Sequence, residues 1–462
     1  VQEVNEEQMR DVEKAVQTAT VTSIDYEGRG VARVDGKAVF IRGALPSEKV
    51  CYRVTRSKKQ FDEAEVVEIE QASSERIRPE CRYFETCGGC VLQHVRPQAQ
   101  VAFKQRIMEE QLERIGKVKP SQILPPIYGM PWHYRDRARL SVSVNQKGRL
   151  KMGFQAKKTH DVVDIASCGI LPRHVSLLLP EVKKLLQQLA AEGATAKFVE
   201  FFSSKQLTVM NLGFQKRPSE THLTALKRWF DTTLKAQPEQ WQVWLQEGWQ
   251  SHPFYPEGKL GLTYDLSEFN VHMPYRPGDF TQINAEMNNV MVGRALKLLD
   301  IRSGERIADL FCGLGNFSLP MAKCGAEVVG IEGSETLVVR AHQNARENLC
   351  AEQTTFLTAD LFDTDETVVT SWGKFDKMLL DPPRSGAYAV VKSLYKPYLP
   401  QRIVYVSCNP ATFARDAAVL VEKGYAFQAA GVMNMFAQTA HVESIGVFEL
   451  QNDTNGAEYD GF

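Results

Sequence analysis

Apolar positions along this chain recur with different periods, and the changes between periods divide it into regions. Between residues 15 and 71, short apolar and β-branched runs (16–24, 30–34, 37–41, 49–57, 61–69) are separated by Gly, Asp-Gly and Pro turns. No helical repeat accompanies them, which predicts a small barrel of short strands. Residues 97–117 switch to helical spacing, with Val101, Ile107, Met108, Leu112 and Ile115 set among charges and Gly116 at the end, predicting a packing helix. Strict alternation over 137–144 predicts a strand. The stretch 180–261 predicts an amphipathic helix (182–192), strands at 197–202 and 206–211, and a second helix at 220–236. From Arg306 strand and helix alternate: strands at 306–312, 327–332, 354–360, 375–381 and 402–408, helices at 317–323, 335–349, 388–396 and 411–423, then strands at 425–433 and 444–450. Such an order predicts a doubly wound α/β sheet closed by an antiparallel hairpin.

The expected organisation is a disordered start (1–14), a barrel (15–72), a central α+β domain (73–270), an α/β domain (271–452) and a polar tail (453–462). Helix 97–117 belongs to the central region by position and is free to pack on the α/β domain. A length of 462 residues accommodates about three domains. No apolar run is long enough to span a bilayer, and residues 1–14 are polar and acidic without signal-peptide order, so the expectation is a soluble, cytoplasmic protein with no membrane partner. Nothing in the pattern calls for an obligate dimer, and a monomer is expected.

A formal charge of −1 leaves no global nucleic-acid footprint, so such binding must rest on local patches. Two stand out. In the barrel, Gly28-Arg29-Gly30 forms a basic turn, and Arg53, Arg56, Lys58 and Lys59 precede Phe61. Between 131 and 160, Arg135, Arg137, Arg139, Lys147, Arg149, Lys151, Lys157 and Lys158 face one acid, Asp136, and interleave with Trp132, Tyr134 and Phe154. Basic residues with aromatics suit the backbone and bases of a single strand.

Nine cysteines, unevenly spaced, fit metal-binding or catalytic thiols better than a disulfide framework. Cys81, Cys87 and Cys90 fall within ten residues, with a glycine pair between the last two, and Cys168 before Gly169 is the natural fourth ligand. Zinc and an iron–sulfur cluster both accept four thiolates, and spacing leaves the two open. Cys408 is different. It ends the apolar run 404–407 just before Asn409-Pro410, which places a thiol at the carboxyl edge of the sheet, where open α/β folds bind ligands. We read it as a nucleophile. The turn 309–316 (Asp-Leu-Phe-Cys-Gly-Leu-Gly-Asn) follows the first strand, and Glu332, Asp360 and Asp381 end the next three. Three acids on one edge, with no Gly-Lys-Ser/Thr after the turn, suit an adenosine-bearing neutral or cationic ligand and exclude a P-loop.

These motifs carry a resemblance. Residues 15–71 resemble the TRAM domain, an RNA-binding barrel attached to RNA-modifying enzymes. The turn and acids resemble class I S-adenosylmethionine (SAM) methyltransferases. Together with Phe280-Thr-Gln282-Ile-Asn284, Asp381-Pro-Pro-Arg384, Ser407-Cys408-Asn-Pro410 and His441-Val-Glu443-Ser, they resemble the RNA uracil-C5-methyltransferase family over nearly the whole chain, in particular its bacterial 23S rRNA branch. The resemblance implies a Rossmann-like SAM-methyltransferase domain behind an OB-like TRAM barrel and a central domain with a four-cysteine site. It implies Cys408 as nucleophile and Glu443 as base, and a SAM pocket formed by Gln282, Phe311, Asn316, Glu332, Asp360 and Asp381. It further implies a [4Fe–4S] cluster on Cys81, Cys87, Cys90 and Cys168, and 23S ribosomal RNA as partner, methylated at a uridine of the U1939 type.

The chemistry suits those residues. Uracil C5 is a poor nucleophile until a thiolate adds at C6, and a base must later remove the C5 proton. Glu443 fits that role, with His441 as the alternative, while Asp381 and Arg384 could each serve uracil or SAM. A stacked base hides C6, so the target must leave its stack. The readings set against this one are the same chemistry on another 23S uridine or on tRNA, a non-catalytic RNA-binding or assembly factor, and a redox enzyme.

Overall fold

The structure, a computed structural model, describes residues 16–258 and 261–451; the expected disordered start and polar tail lie outside the described residues. The first six strands (Val16–Thr20, Ser23–Ile24, Gly30–Val34, Lys37–Arg42, Lys49–Ser57, Phe61–Gln71) form one sheet around a small core. Alternation drives it: Val50, Tyr52 and Val54 are buried, while Arg53 and Thr55 on the other face are exposed. Asp35-Gly36 closes the Gly30–Val34/Lys37–Arg42 hairpin with φ of 50° and 80°, the left-handed pair that a two-residue hairpin loop needs.

The central domain is a six-stranded sheet, in order Gln250–Tyr255, Trp241–Glu247, Thr208–Phe214, Ala196–Ser203, Arg137–Val144 and Leu150–Gly153. Helix Arg173–Ala191 covers one face. It starts well before the expected residue 182 and runs through Pro180, because Val175, Leu178, Leu179, Val182, Leu185, Leu186 and Leu189 keep one continuous buried stripe across the proline. An interior proline costs about 3 kcal/mol. Burial of each large aliphatic side chain returns about 1.5–3 kcal/mol, so the stripe prevails. The second expected helix is found as Glu220–Trp229 followed by a π turn over Phe230–Leu234. Four strands in 241–275 and helix Ala285–Leu299 were not expected from the sequence.

The C-terminal sheet has eight strands, in order Thr354–Thr358, Glu327–Glu332, Arg306–Leu310, Lys377–Leu380, Arg402–Ser407, Glu443–Leu450, Tyr425–Met433 and Gln122–Ile123. The first five are parallel and Glu443–Leu450 inserts antiparallel beside the fifth. Gln122–Ile123, placed by sequence in the central region, instead adds an edge strand here. Strand order reverses between Arg306–Leu310 and Lys377–Leu380, so a crevice opens at the carboxyl ends of these two strands. Helix Pro97–Gln111 does pack on this domain, against Pro410–Glu422 and Tyr425–Met433.

Candidate active site

Strand Arg402–Ser407 is buried from Ile403 to Ser407 and stops where Pro410 begins a helix. Asn409 caps that helix, its Oδ1 accepting from the Ala411 amide at 3.1 Å, and its Nδ2 donates to the Arg384 carbonyl at 2.9 Å. Cys408 is thereby held half-buried between the end of a rigid strand and a capped helix. The neighbouring antiparallel strand supplies its partner. Ser407 pairs with Ser444, so one step further along the same register Cys408 stands opposite Glu443. Residues opposite one another across an antiparallel pair project to the same face, with Cβ atoms about 4.5–5.5 Å apart.

Glu443 is 2% exposed. Burial raises its carboxyl well above the ordinary range, and Asp381 adds to the rise while Lys104 opposes it. Burial also pushes the Cys408 thiol up to about 12, reinforced by Glu443 and Asp381 and opposed by Arg384. The surroundings of Cys408 thus oppose its ionisation, with Arg384 the charge that favours it.

Cys408 opens into a cleft of about 570 Å³ where all three domains meet. Tyr26 and Glu27 come from the barrel, Gly88, Gly89, Arg135 and Phe154 from the central domain, and Arg384, Asn409 and His441 from the sheet edge. A groove of about 610 Å³ on the outer edge of the central sheet, around Phe198, Lys216 and Phe254, is slightly larger but contains none of the expected reactive groups. Arg384 donates to His441 Nε2 at 2.8 Å. Burial in the cleft, with Arg384, Lys104 and Arg135 nearby, pushes the imidazole down to about 4. A neutral ring whose Nε2 lone pair already accepts from Arg384 is a poor base, which leaves Glu443 for that role.

A second cavity lies on the other side of Asp381, lined by Tyr264, Met273, Phe280, Gln282, Phe311, Asn316 and Asp381 among others. The two motif residues that sequence could not separate are thus divided: Asp381 faces this cavity and Arg384 faces the Cys408 cleft. The glycine-rich turn is held from below. Asp309 is fully buried, accepts a short hydrogen bond from the Ser318 hydroxyl, and is pushed up to about 7 chiefly by burial. Burial, with Asp309 nearby, likewise raises Asp381 to about 7. Phe311 takes a φ of 65° and Gly313 and Gly315 take 55° and 95°, so the turn curls its backbone towards the cavity. Glu332 accepts from the Gly313 amide at 3.2 Å and the Ser334 amide at 3.0 Å. Neither Glu332 nor Asp360 is among the residues lining this cavity; Asp360 accepts from the Phe362 amide at 2.9 Å, and the Phe362 ring packs 5.7 Å from Phe311. Asn288, which sequence gave no reason to choose, exchanges two hydrogen bonds with Asn316 at 2.8 and 3.0 Å and fixes its amide.

Cys81, Cys87, Cys90 and Cys168 line one small cavity with Phe84, Phe154 and Ile170. Burial pushes Cys90 up to about 12 and Cys168 up to about 11, and the neighbouring thiols add to both. Among the described residues no three His, Cys, Asp or Glu side chains are grouped closely enough to hold a single metal ion.

The expected basic patches are only partly free. Arg137 pairs with Glu200 at 3.0 Å and donates to the Asp279 carbonyl, and Arg29 is clamped by Asp25 at 2.7 Å and lies over Phe40. Both are therefore engaged in the fold. Arg135 reaches the cleft, while Arg53, Arg56, Lys58 and Lys59 stay exposed. Tyr26, 58% exposed at the cleft mouth, was missed because a lone turn tyrosine carries no sequence signal. No helix among the described residues is long and apolar enough to cross a membrane.

Comparison with known proteins agrees with this geometry. The family model described as tRNA (Uracil-5-)-methyltransferase matches residues 125–452, and the TRAM domain model matches 13–67. A protein of Neisseria lactamica (strain 020-06), named 23S rRNA (uracil(1939)-C(5))-methyltransferase RlmD, is 63% identical over 444 residues, covering 96% of this chain and 98% of that relative. One of the same name from Azoarcus sp. (strain BH72) is 50% identical, covering 94% and 99%. Among solved structures, Pyrococcus abyssi tRNA (uracil-54, C5)-methyltransferase in complex with S-adenosyl-L-homocysteine superposes with a TM-score of 0.69 at 22% identity, covering 94% of this chain and 100% of that one, a likeness of fold. With the paired strands, the two cavities and these matches together, the chain belongs to the RNA uracil-C5-methyltransferase family.

Proposed function

We propose that this enzyme methylates C5 of a uridine in 23S rRNA, the U1939 position for which its relatives are named, and that it does so as a cytoplasmic monomer. The observation that supports the reading is the strand register ending at Ser407 and Ser444, which brings Cys408, lining the cleft, alongside Glu443. Cys408, its thiol proton released to solvent through the open cleft, adds as the thiolate to C6 of a base extruded into the 570 Å³ cleft, forming the S–C6 bond and moving the C5=C6 electrons towards C5 and O4. Arg384 is the cation beside the thiol that favours its ionisation. Once C5 carries the methyl group, Glu443 takes the C5 proton, the C5=C6 bond re-forms and the Cys408 thiolate leaves. A carboxylate whose proton affinity is raised by burial is suited to receive that proton.

SAM, when bound, supplies an electrophilic methyl group. The second cavity fits it: Asp381, Gln282 and Asn316 offer polar contacts, Phe311 an aromatic face, and the glycine turn close backbone approach. Glu332, anchored through the Gly313 amide, orients that turn and is the acid placed for ribose hydroxyls. Glu332→Ala should weaken SAM binding by about 10–100-fold, since hydrogen bonds to a carboxylate contribute about 1.5–3 kcal/mol. Isothermal titration checks this, and an unchanged affinity would remove Glu332 from the site.

The four thiols fit an iron–sulfur cluster in donor type, because they share one cavity and their crowded, buried positions favour thiolates only beside a cation. This site braces the active site. The Val91 and Leu92 amides, next to Cys90, donate to the Gln438 carbonyl at 2.9 and 3.0 Å, within the segment that leads to Glu443. Cys168→Ser is therefore expected to lose the visible absorbance near about 400 nm and the roughly four irons per chain of a [4Fe–4S] protein. A wild-type protein that instead carries one zinc ion overturns the cluster.

The substrate is tested by offering unmodified 23S rRNA and tRNA transcripts side by side. Methylation of the rRNA alone is expected, and methylation of the tRNA alone favours the tRNA reading.

A further inference from the structure

Lys104 lies on helix Pro97–Gln111, in a stretch of charges where a solvated side chain would be expected, yet it is 1% exposed. An ammonium has three donors and burying it is costly unless it is paired. Its Nζ donates to Asn434 Oδ1 and to the Phe436 carbonyl, both at 2.8 Å, and both partners are neutral. Asn434 directly follows Met433, and Met433 pairs with Glu443 across the last two strands. The ammonium therefore sits beside the start of the strand that carries the buried carboxylate.

We propose that Lys104 is a positioning residue for proton removal from C5: its buried ammonium is the countercharge that makes the ionised form of Glu443 accessible when it acts as base. This rests on the assignment of Cys408 and Glu443 made above. The charged and titratable groups facing Glu443 are Asp381, beyond strand Lys377–Leu380, Cys408, beyond strand Arg402–Ser407, and Lys104 from the helix. The first two disfavour a second negative charge, and among the described residues Lys104 is the cation that offsets them. Around Lys104 itself, Glu443 is the carboxylate whose charge supports the ammonium, and His441, bonded to Arg384, is near enough to feel it. Burial brings the ammonium down to about 7 and Glu443 supports its charged form. The helix thus supplies a cation beside Glu443 from outside the sheet edge.

The role separates two steps of one turnover. Adduct formation by Cys408 does not use Glu443 as a base, whereas resolution does: the C5–H bond breaks, the proton goes to Glu443, and the electrons expel the thiolate. Lys104→Met keeps the length and removes the charge. With 23S rRNA and SAM it should form the covalent RNA adduct within about threefold of wild type but resolve it about tenfold or more slowly at neutral pH. Resolution should recover as pH rises, because Glu443 without its countercharge ionises only at higher pH. Lys104→Arg, which keeps the charge, should restore resolution. The adduct is read on denaturing gels, and thermal melting together with SAM binding establishes that each variant is folded. An infrared pH titration of the Glu443 carboxyl, identified by difference against Glu443→Gln, adds a direct readout: it should ionise at lower pH in wild type and Lys104→Arg than in Lys104→Met. A Glu443 carboxyl that ionises at the same pH in wild type and Lys104→Met, or an adduct that Lys104→Met resolves at the wild-type rate without a pH shift, overturns the role of Lys104. Failure of the wild-type protein to form any adduct would instead overturn the assignment of Cys408.

Discussion

Cys408→Ala is expected to lower methyl transfer to 23S rRNA by about 10⁴-fold or more while leaving SAM binding within about threefold of wild type. The separation follows from the two cavities. Cys408 lines the cleft where the three domains meet, whereas Gln282, Phe311 and Asn316 line the other, so the substitution removes a bond-forming atom without touching the SAM pocket. Without the S–C6 bond, C5 has no route to the electron density that methylation requires. A purely packing role for this thiol would give a far smaller effect, and a vestigial fold that only binds RNA would show no activity to lose. Tritium transfer from labelled SAM, followed beside calorimetry, distinguishes these cases.

Glu443→Gln should act on the later step. The amide cannot accept the C5 proton, so turnover is expected to fall by about 10²–10⁴-fold while the methylated RNA stays bonded to Cys408. The variant should therefore accumulate a complex that survives denaturation, which Cys408→Ala cannot form. Glu443 is buried and its carboxyl is raised, so in wild type the base is active above its pKa and is lost as pH falls through it. Resolution of the adduct should accordingly slow on the acid side, and that limb should vanish in Glu443→Gln. An acid limb that survives would assign the proton to another group, with His441 the first to test.

Much of this site was legible because the residues that react lie at strand ends with short motifs. The strand 402–408, the acids Glu332 and Asp381 and the glycine turn could be placed on one sheet edge from βα alternation alone, and the structure keeps them there. The barrel strands were equally clear, since glycine and proline turns bound each apolar run. What escaped the sequence depended on distant partners. Arg137 looked available for RNA, but Glu200 neutralises it from the adjacent strand Ala196–Ser203. Lys104 looked like the solvated face of a helix until the segment 434–436 closed over it. The strands at 250–255 and 271–275 carry Pro253 and Pro274, which blur the alternation that marks a strand. Asp360 and Glu332 are both strand-end acids that fitted the pattern, and both carboxylates accept from loop amides, Phe362 for one and Gly313 and Ser334 for the other.

The most direct test of the account is isolation of the covalent complex. Wild-type protein is incubated with SAM and a 23S rRNA fragment carrying the target uridine, the mixture is denatured and digested, and the peptide bearing Cys408 is examined by mass spectrometry. The account predicts that this peptide carries a 5-methyl-5,6-dihydrouridine nucleotide bonded through Sγ, enriched in Glu443→Gln and missing in Cys408→Ala. Formation of 5-methyluridine by Cys408→Ala at the wild-type rate, with no such adduct in Glu443→Gln, would contradict it.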